Sequence, residues 1–191
     1  MKKTISVLLG AVMTFTISAA FSDAENRQEE ATPSKSDGVS KIRLFGQNGI
    51  GVIFYKNSKC SGGSDSVRVS GGLTSAFSSF LGAVKNESLG IPETDTTRSL
   101  SQRSGILSKA YFKEYEIDPG NPITIVMRFQ DVGIRKHCGN IAGTFIPEPS
   151  VNYEGHLDLD LNAGVCRFSI DRVSNDGSLS PISLDPAQAC K

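Results

Sequence analysis

The stretch KAYFKEYEIDPGNPITIVMRF, Lys109 to Phe129, decides the fold. In its second half Ile123, Ile125, Met127 and Phe129 alternate with Thr124, Val126 and Arg128. That is the period-two pattern of a strand with one buried face. The first half, Lys109 to Ile117, is rich in aromatic and branched residues that suit a strand. Between the halves, Asp118-Pro119-Gly120-Asn121 places Pro at i+1 and Gly at i+2, the signature of a type II turn. The stretch predicts a β-hairpin.

Outward from it, further short runs repeat the same grammar. Ile42 to Phe45 and Ile50 to Tyr55 flank Gly46-Gln47-Asn48-Gly49, an Asn-Gly turn signal that predicts a second hairpin. Ser66 to Ser70 reads as a brief strand. Ile141 to Ile146, Tyr153 to Leu161 and Val165 to Val173 read as an antiparallel meander, and Asn175-Asp176-Gly177 turns the chain toward Leu179 to Leu184. About eight short strands, with 19 Gly, 8 Pro and no Trp, predict a single antiparallel β-sandwich over residues 40–191. Leu73, Phe77, Phe80, Leu81 and Val84 recur at helical spacing and predict one short amphipathic helix over 73–84. Residues 85–105 are polar and without period. They read as a long loop, and loops of that length in compact domains are functional or mobile.

The N-terminus has the order of a secretory signal: Lys2 and Lys3, an apolar run from Ile5 to Ala20, then small residues. Cleavage after Ala24 or after Ala20 satisfies the small-residue rule, and Ala24 is favoured because Phe21 still belongs to the apolar run. The expected division is a signal peptide over 1–24, a disordered leader over 25–39 that is too polar to offset its ordering entropy, and the sandwich. With 20 Lys+Arg against 20 Asp+Glu, the charge balance excludes a globally basic nucleic-acid binder. No later run is long enough to span a bilayer. The expected location is periplasmic or secreted.

Four cysteines, Cys60, Cys138, Cys166 and Cys190, would meet an oxidising compartment, where two disulfides with three possible connectivities are expected. The meander places Cys138 and Cys166 at one end, with Cys166 on the same face as Phe168 and Ile170. The expected bridges are therefore Cys138–Cys166 and Cys60–Cys190. No C-x-x-C spacing suggests a zinc ribbon or a redox pair.

Motifs for chemistry are sparse. There is no G-x-S-x-G, S-x-x-K, H-E-x-x-H or Walker loop, and Gly46 to Gly51 is not in the G-x-G-x-x-G order. His137 sits beside Cys138, where backbone placement outweighs its imidazole. His156, Asp158 and Asp160 alternate with Leu157, Leu159 and Leu161 and so share one strand face. Asp158-x-Asp160-x-Asn162 begins like a calcium loop, but the sixth position is Ala163 and the twelfth is Ser169 where a bidentate Glu is needed. No metal and no cofactor is implied. Tyr111, Phe112 and Tyr115 offer a stacking platform for sugars, against the plainer reading of a half-buried strand. Arg98, Arg103, Lys109 and Lys113 gather around the end of the polar loop. The candidate binding residues are Arg98, Arg103, Tyr111 and Tyr115.

The segments EIDPGNPITI (116–125) and FIPEPSVNYE (145–154), followed by a Cys-bearing strand, resemble small exported bacterial β-sandwich proteins of unknown function, among them domains of envelope lipoproteins. The chain departs from the lipoproteins in having no Cys at the cleavage site. The resemblance implies a fold and a compartment, with no catalytic residue attached. The expectation is a non-catalytic binding module meeting an envelope protein or glycan. The alternatives are an envelope carbohydrate-active hydrolase using paired carboxylates such as Asp158 and Asp160, and a periplasmic immunity or inhibitor protein.

Overall fold

The computed structural model describes residues 38–47, 49–71, 85–102, 110–131, 136–160 and 162–191. The expected helix over 73–84, the signal segment, nearly all of the leader and Arg103 lie outside the described residues. The chain is mainly β. Its strands are β1 (Ser40–Gly46), β2 (Ile50–Tyr55), β3 (Cys60–Ser61), β4 (Ser66–Ser70), β5 (Tyr111–Ile117) and β6 (Ile123–Asp131). They continue as β7 (Lys136–Phe145), β8 (Asn152–Asp160), β9 (Val165–Val173), β10 (Leu179–Pro181), β11 (Asp185–Pro186) and β12 (Gln188–Ala189). Among the described residues one short helix, α1 (Asp95–Ser99), is followed by a 3-10 turn, Leu100–Gln102.

Two five-stranded sheets pack on each other, in the orders β10-β9-β8-β1-β5 and β11-β7-β6-β2-β4. Apolar residues of alternate positions meet between them: Ile42 and Leu44 of β1, Tyr153 of β8 and Ile170 of β9 from the first sheet. Val52 and Phe54 of β2 and Ile123, Ile125, Met127 and Phe129 of β6 come from the second. The period-two reading of β6 is therefore the core itself. Gly155 of β8 sits between Leu44 of β1 and Ile170 of β9, its neighbours in the same sheet. A Cβ there would stand 2.7 Å from Leu44 Cδ2 and 2.9 Å from Ile170 Cδ1.

The strand count and pairing differ from the sequence expectation. Among the described residues there are twelve strands instead of about eight, and β1–β8 and β12–β3 run parallel. Both expected hairpins are arches between sheets: β1 and β2 lie in different sheets, as do β5 and β6. Their turns are where they were expected, with Gly49 at φ 78° and Gly120 at φ 78°. A turn signal fixes where the chain reverses, but not which neighbour the strand then pairs with. Here burial decides, because an arch lets the apolar faces of consecutive strands meet across the core. For the same reason the expected meander is broken. β8 and β9 pair antiparallel from Asn152↔Val173 to Asp160↔Val165, whereas β7 pairs with β6 in the other sheet. The Asn175-Asp176-Gly177 turn does close a hairpin, β9–β10, with Gly177 at φ 81°.

The disulfides are Cys138–Cys166 and Cys60–Cys190, with Cα–Cα distances of 6.2 and 5.0 Å. Because β7 and β9 belong to opposite sheets, the first bridge ties the two layers together. The second ends a C-terminal strap. After β10 leaves β9, β11 pairs with β7 and β12 with β3, so residues 179–190 lace one side of the molecule shut. Ile182 and Leu184 of the strap pack on the core. Its cysteines are 130 residues apart, a separation for which chain entropy gives about 4–5 kcal/mol as an upper figure. Replacing both Cys60 and Cys190 by Ser is expected to cost about 2–4 kcal/mol in urea unfolding and to open residues 182–190 to proteases. An unchanged midpoint would mean that the strap holds without its bridge.

Candidate functional site

On its outward face the first sheet carries a charged row instead of a solvated one. The register sets Arg43 of β1 between Glu114 of β5 and Glu154 of β8, and Asp171 of β9 opposite Glu154. Arg43 is 1% exposed and Glu154 0%. A guanidinium cannot lose its proton in a protein and carries five N–H donors, so burying it demands an acceptor for each. All five donors are satisfied, by four oxygens. Nε donates to Glu114 Oε1 at 2.9 Å, and Nη2 donates to the same oxygen at 2.7 Å and to the Ile91 carbonyl at 2.6 Å. Nη1 donates to Glu154 Oε2 at 2.7 Å and to the Pro92 carbonyl at 3.0 Å. The guanidinium also lies 5.0 Å from the Phe112 ring centre, within cation–π range.

One cation faces two carboxylates in this cluster, and neutral donors spread the remaining charge. Glu114 Oε2 accepts from the Ser88 hydroxyl at 3.1 Å and from the backbone N–H groups of Leu89 and Ile91. The Thr94 hydroxyl donates to both oxygens of Glu154 at 3.0 Å. Thr94 is also the N-cap of α1. Its hydroxyl accepts from the Thr97 N–H, and Thr97 Oγ1 accepts from the Thr94 N–H at 2.9 Å, a reciprocal capping box. Residues 85–102, the described part of the loop expected over 85–105, are thus pinned to the sheet at several points. Glu87 adds a backbone pairing to β5, and Lys41 Nζ donates to the Leu89 carbonyl at 2.6 Å.

Beside this row stands His156 of β8. Its ring lies on Phe45, 5.8 Å between centroids and 31° apart in tilt. Its Nε2 is 3.2 Å from Glu154 Oε1 and 3.6 Å from Asp171 Oδ2, and has no hydrogen-bond partner among the described residues. Further along the same face Asp158 and Asp160 are exposed. Asp160 caps the β8–β9 turn by accepting from the Asn162 and Ala163 N–H groups. No group of three or more His, Cys, Asp or Glu suited to a metal ion occurs among the described residues.

The candidate binding residues separate in space. Arg98 is exposed on α1, paired with Asp95 at 2.6 Å. Tyr111 is buried with its hydroxyl donating to the Val69 carbonyl at 3.3 Å, and Tyr115 packs edge-on against Phe54 of the opposite sheet at 5.1 Å. Both tyrosines therefore face inward, away from Arg98. Burial, followed by the negative charge of Glu87 and then Tyr111, pushes the Tyr115 hydroxyl up to about 12, and burial raises Tyr111 and Tyr153 as well. Sequence reasoning missed Arg43 and Glu154, and met Glu114 only as a neighbour of the Tyr111–Tyr115 platform. The available signal was a lone Arg inside the apolar run Ile42 to Phe45, since a charge in a central strand is buried only with partners.

Comparison with protein-family models, with curated proteins and with solved structures finds no match to this chain.

Arg43→Met leaves two buried carboxylates without their cation and is expected to cost about 3–5 kcal/mol in urea unfolding. Replacing Arg43, Glu114 and Glu154 together by Met, Leu and Leu is expected to cost less than the single change. A single-variant loss under about 1 kcal/mol would show that water reaches the cluster. A second expectation concerns alkali. The folded state holds Tyr111, Tyr115 and Tyr153 protonated beyond the ordinary tyrosine range, so their contribution is complete below about pH 10 and is lost as pH rises through the folded values. In a Tyr55→Phe background, which leaves these three as the chain's tyrosines, phenolate absorbance should then grow together with loss of the β-sheet circular dichroism signal. Growth with the fold intact would contradict it.

Proposed function

We propose that this chain is exported and acts as a non-catalytic binding module of the bacterial envelope, its packed sheets forming a β-sandwich that presents a recognition surface. The observation that carries the non-catalytic reading is the state of the buried carboxylates. Glu114 and Glu154 are occupied by Arg43, Thr94 and the amides of segment 85–102. A glycoside hydrolase needs two carboxyl groups that face a substrate and exchange protons with it. Asp158 and Asp160, the other pair considered, lie exposed on a strand face. Two disulfides accord with an oxidising compartment, and no helix among the described residues is long and apolar enough to cross a membrane.

The recognition surface is assigned to segment 85–102, with Arg98 as its exposed cation. Rigid scaffolds commonly place recognition on such connecting segments, and this one is held by the Arg43 cluster. An inhibitor or immunity protein would use the same surface to occupy a hydrolase.

The test is capture from an envelope extract with the oxidised chain beginning at residue 25. The expected result is one partner retained by the wild type and weakened about tenfold or more by Arg98→Glu. Hydrolysis of envelope glycan by the purified protein, abolished by Asp158→Asn or Asp160→Asn, would overturn the reading.

A further inference from the structure

β1 and β8 run side by side from Lys41↔Asn152 to Leu44↔Gly155 and then part. β1 ends at Gly46 and the chain crosses to β2 in the other sheet. β8 continues to Asp160, paired with β9 throughout. A cleft of about 330 Å³ occupies the wedge that opens between them. Phe45 and Gln47 line it where β1 departs, Thr96 of α1 borders it, and Ile50 and Met127 of the second sheet close its floor.

The fourth wall is informative. It consists of Gly155, His156, Leu157, Asp158 and Leu159, five consecutive residues of one strand. Successive side chains of a strand point to opposite faces, so no single face of β8 carries all five; what they share is the strand's edge. A rigid small molecule would use one face or the other. An extended polypeptide fills a slot beside a strand edge and hydrogen-bonds along it.

We propose that this wedge receives an extended segment of a partner polypeptide, added as a strand to the 156–160 edge of β8, with apolar and basic residues in alternation. The proposal goes beyond the segment 85–102 surface and rests on the binding-module reading alone. Alternation follows from the two sides of the wedge. On the inner side Leu157 and Leu159 pack toward the core with Met127 and Ile50, which suits apolar side chains. On the outer side the exposed Asp158 lines the cleft, and the exposed Asp160 follows it on the same face. Among the described residues, no Lys or Arg lines the cleft. Arg167, which faces Asp158 from β9, stands on the side away from the wedge. Charge complementarity therefore selects basic residues and rejects acidic ones.

The test uses the oxidised protein and a capped hexapeptide of alternating valine and lysine, followed by amide chemical shifts. Saturable shifts are expected at residues 156–160, with a dissociation constant in roughly the micromolar to millimolar range. Affinity should fall about tenfold or more when glutamate replaces lysine in the peptide. It should fall similarly for Asp158→Lys, an exposed position. N-methylation of alternate peptide amides should abolish binding in one register and spare it in the other, because only one edge pairs.

Three results would overturn the proposal: no shift at 156–160 up to about 1 mM peptide, equal binding of both N-methylated registers, or shifts confined to residues 85–102. In the envelope capture, a partner whose retention Asp158→Lys leaves unchanged overturns the wedge and leaves the module reading standing. Failure to capture any partner, with hydrolysis present, removes the module reading itself.

Discussion

A single guanidinium sets the terms for one whole face of this protein. Arg43 lies in a central strand, and its charge is permanent. Burying it is tolerable only if every donor finds an acceptor and the opposing charge is close by. Those demands fix Glu114 and Glu154 on the two flanking strands and draw the carbonyls of Ile91 and Pro92 down onto the sheet. The carboxylates then need more donors than Arg43 supplies, and they take them from the same covering segment. The result is reciprocal: the segment shields the charges from water, and the charges hold the segment in place. Thr94 extends the arrangement by one bond, since the hydroxyl that satisfies Glu154 also caps α1.

The two sides of the molecule are treated differently. On the β9–β7 side the strap and the Cys138–Cys166 bridge join the layers, and Cys60–Cys190 fixes the end of the strap. At the parting of β1 and β8 the layers are left with a cleft. That parting follows from the arch at Gly46 to Gly49. A chain that must carry its apolar face from one sheet to the other cannot also continue alongside β8. The same turn that organises the core therefore creates the recess beside the His156–Leu159 edge.

Much of this was legible in the residues. Alternation in Ile123 to Phe129 and in Cys166, Phe168 and Ile170 marked faces that do point into the core, and the cysteine pairing follows from the same faces. Pairing between strands was not legible, because Asp118-Pro119-Gly120-Asn121 specifies a reversal without saying which sheet receives the next strand. The polar segment 85–102 looked structureless because its order comes from bonds to Arg43, Glu114 and Glu154, up to 60 residues away in sequence, and no local period records such bonds. Glu154 escaped notice although it shares a strand face with His156, Asp158 and Asp160; alternation shows which side a residue takes, not what covers that side. Tyr111 and Tyr115 read equally well as a surface platform or a half-buried strand, and their inward face is set by pairing with β1.

The central claim is that the buried Arg43 cluster holds segment 85–102 as a fixed part of the sheet's outer face. Native-state hydrogen exchange at the Leu89 and Ile91 amides tests it most directly, because both donate to Glu114. The account predicts that these two loop amides exchange as slowly as those of β6 in the core and become fast in Arg43→Met while the β6 amides remain protected. Exchange at the rate of an exposed loop in the wild type would contradict it.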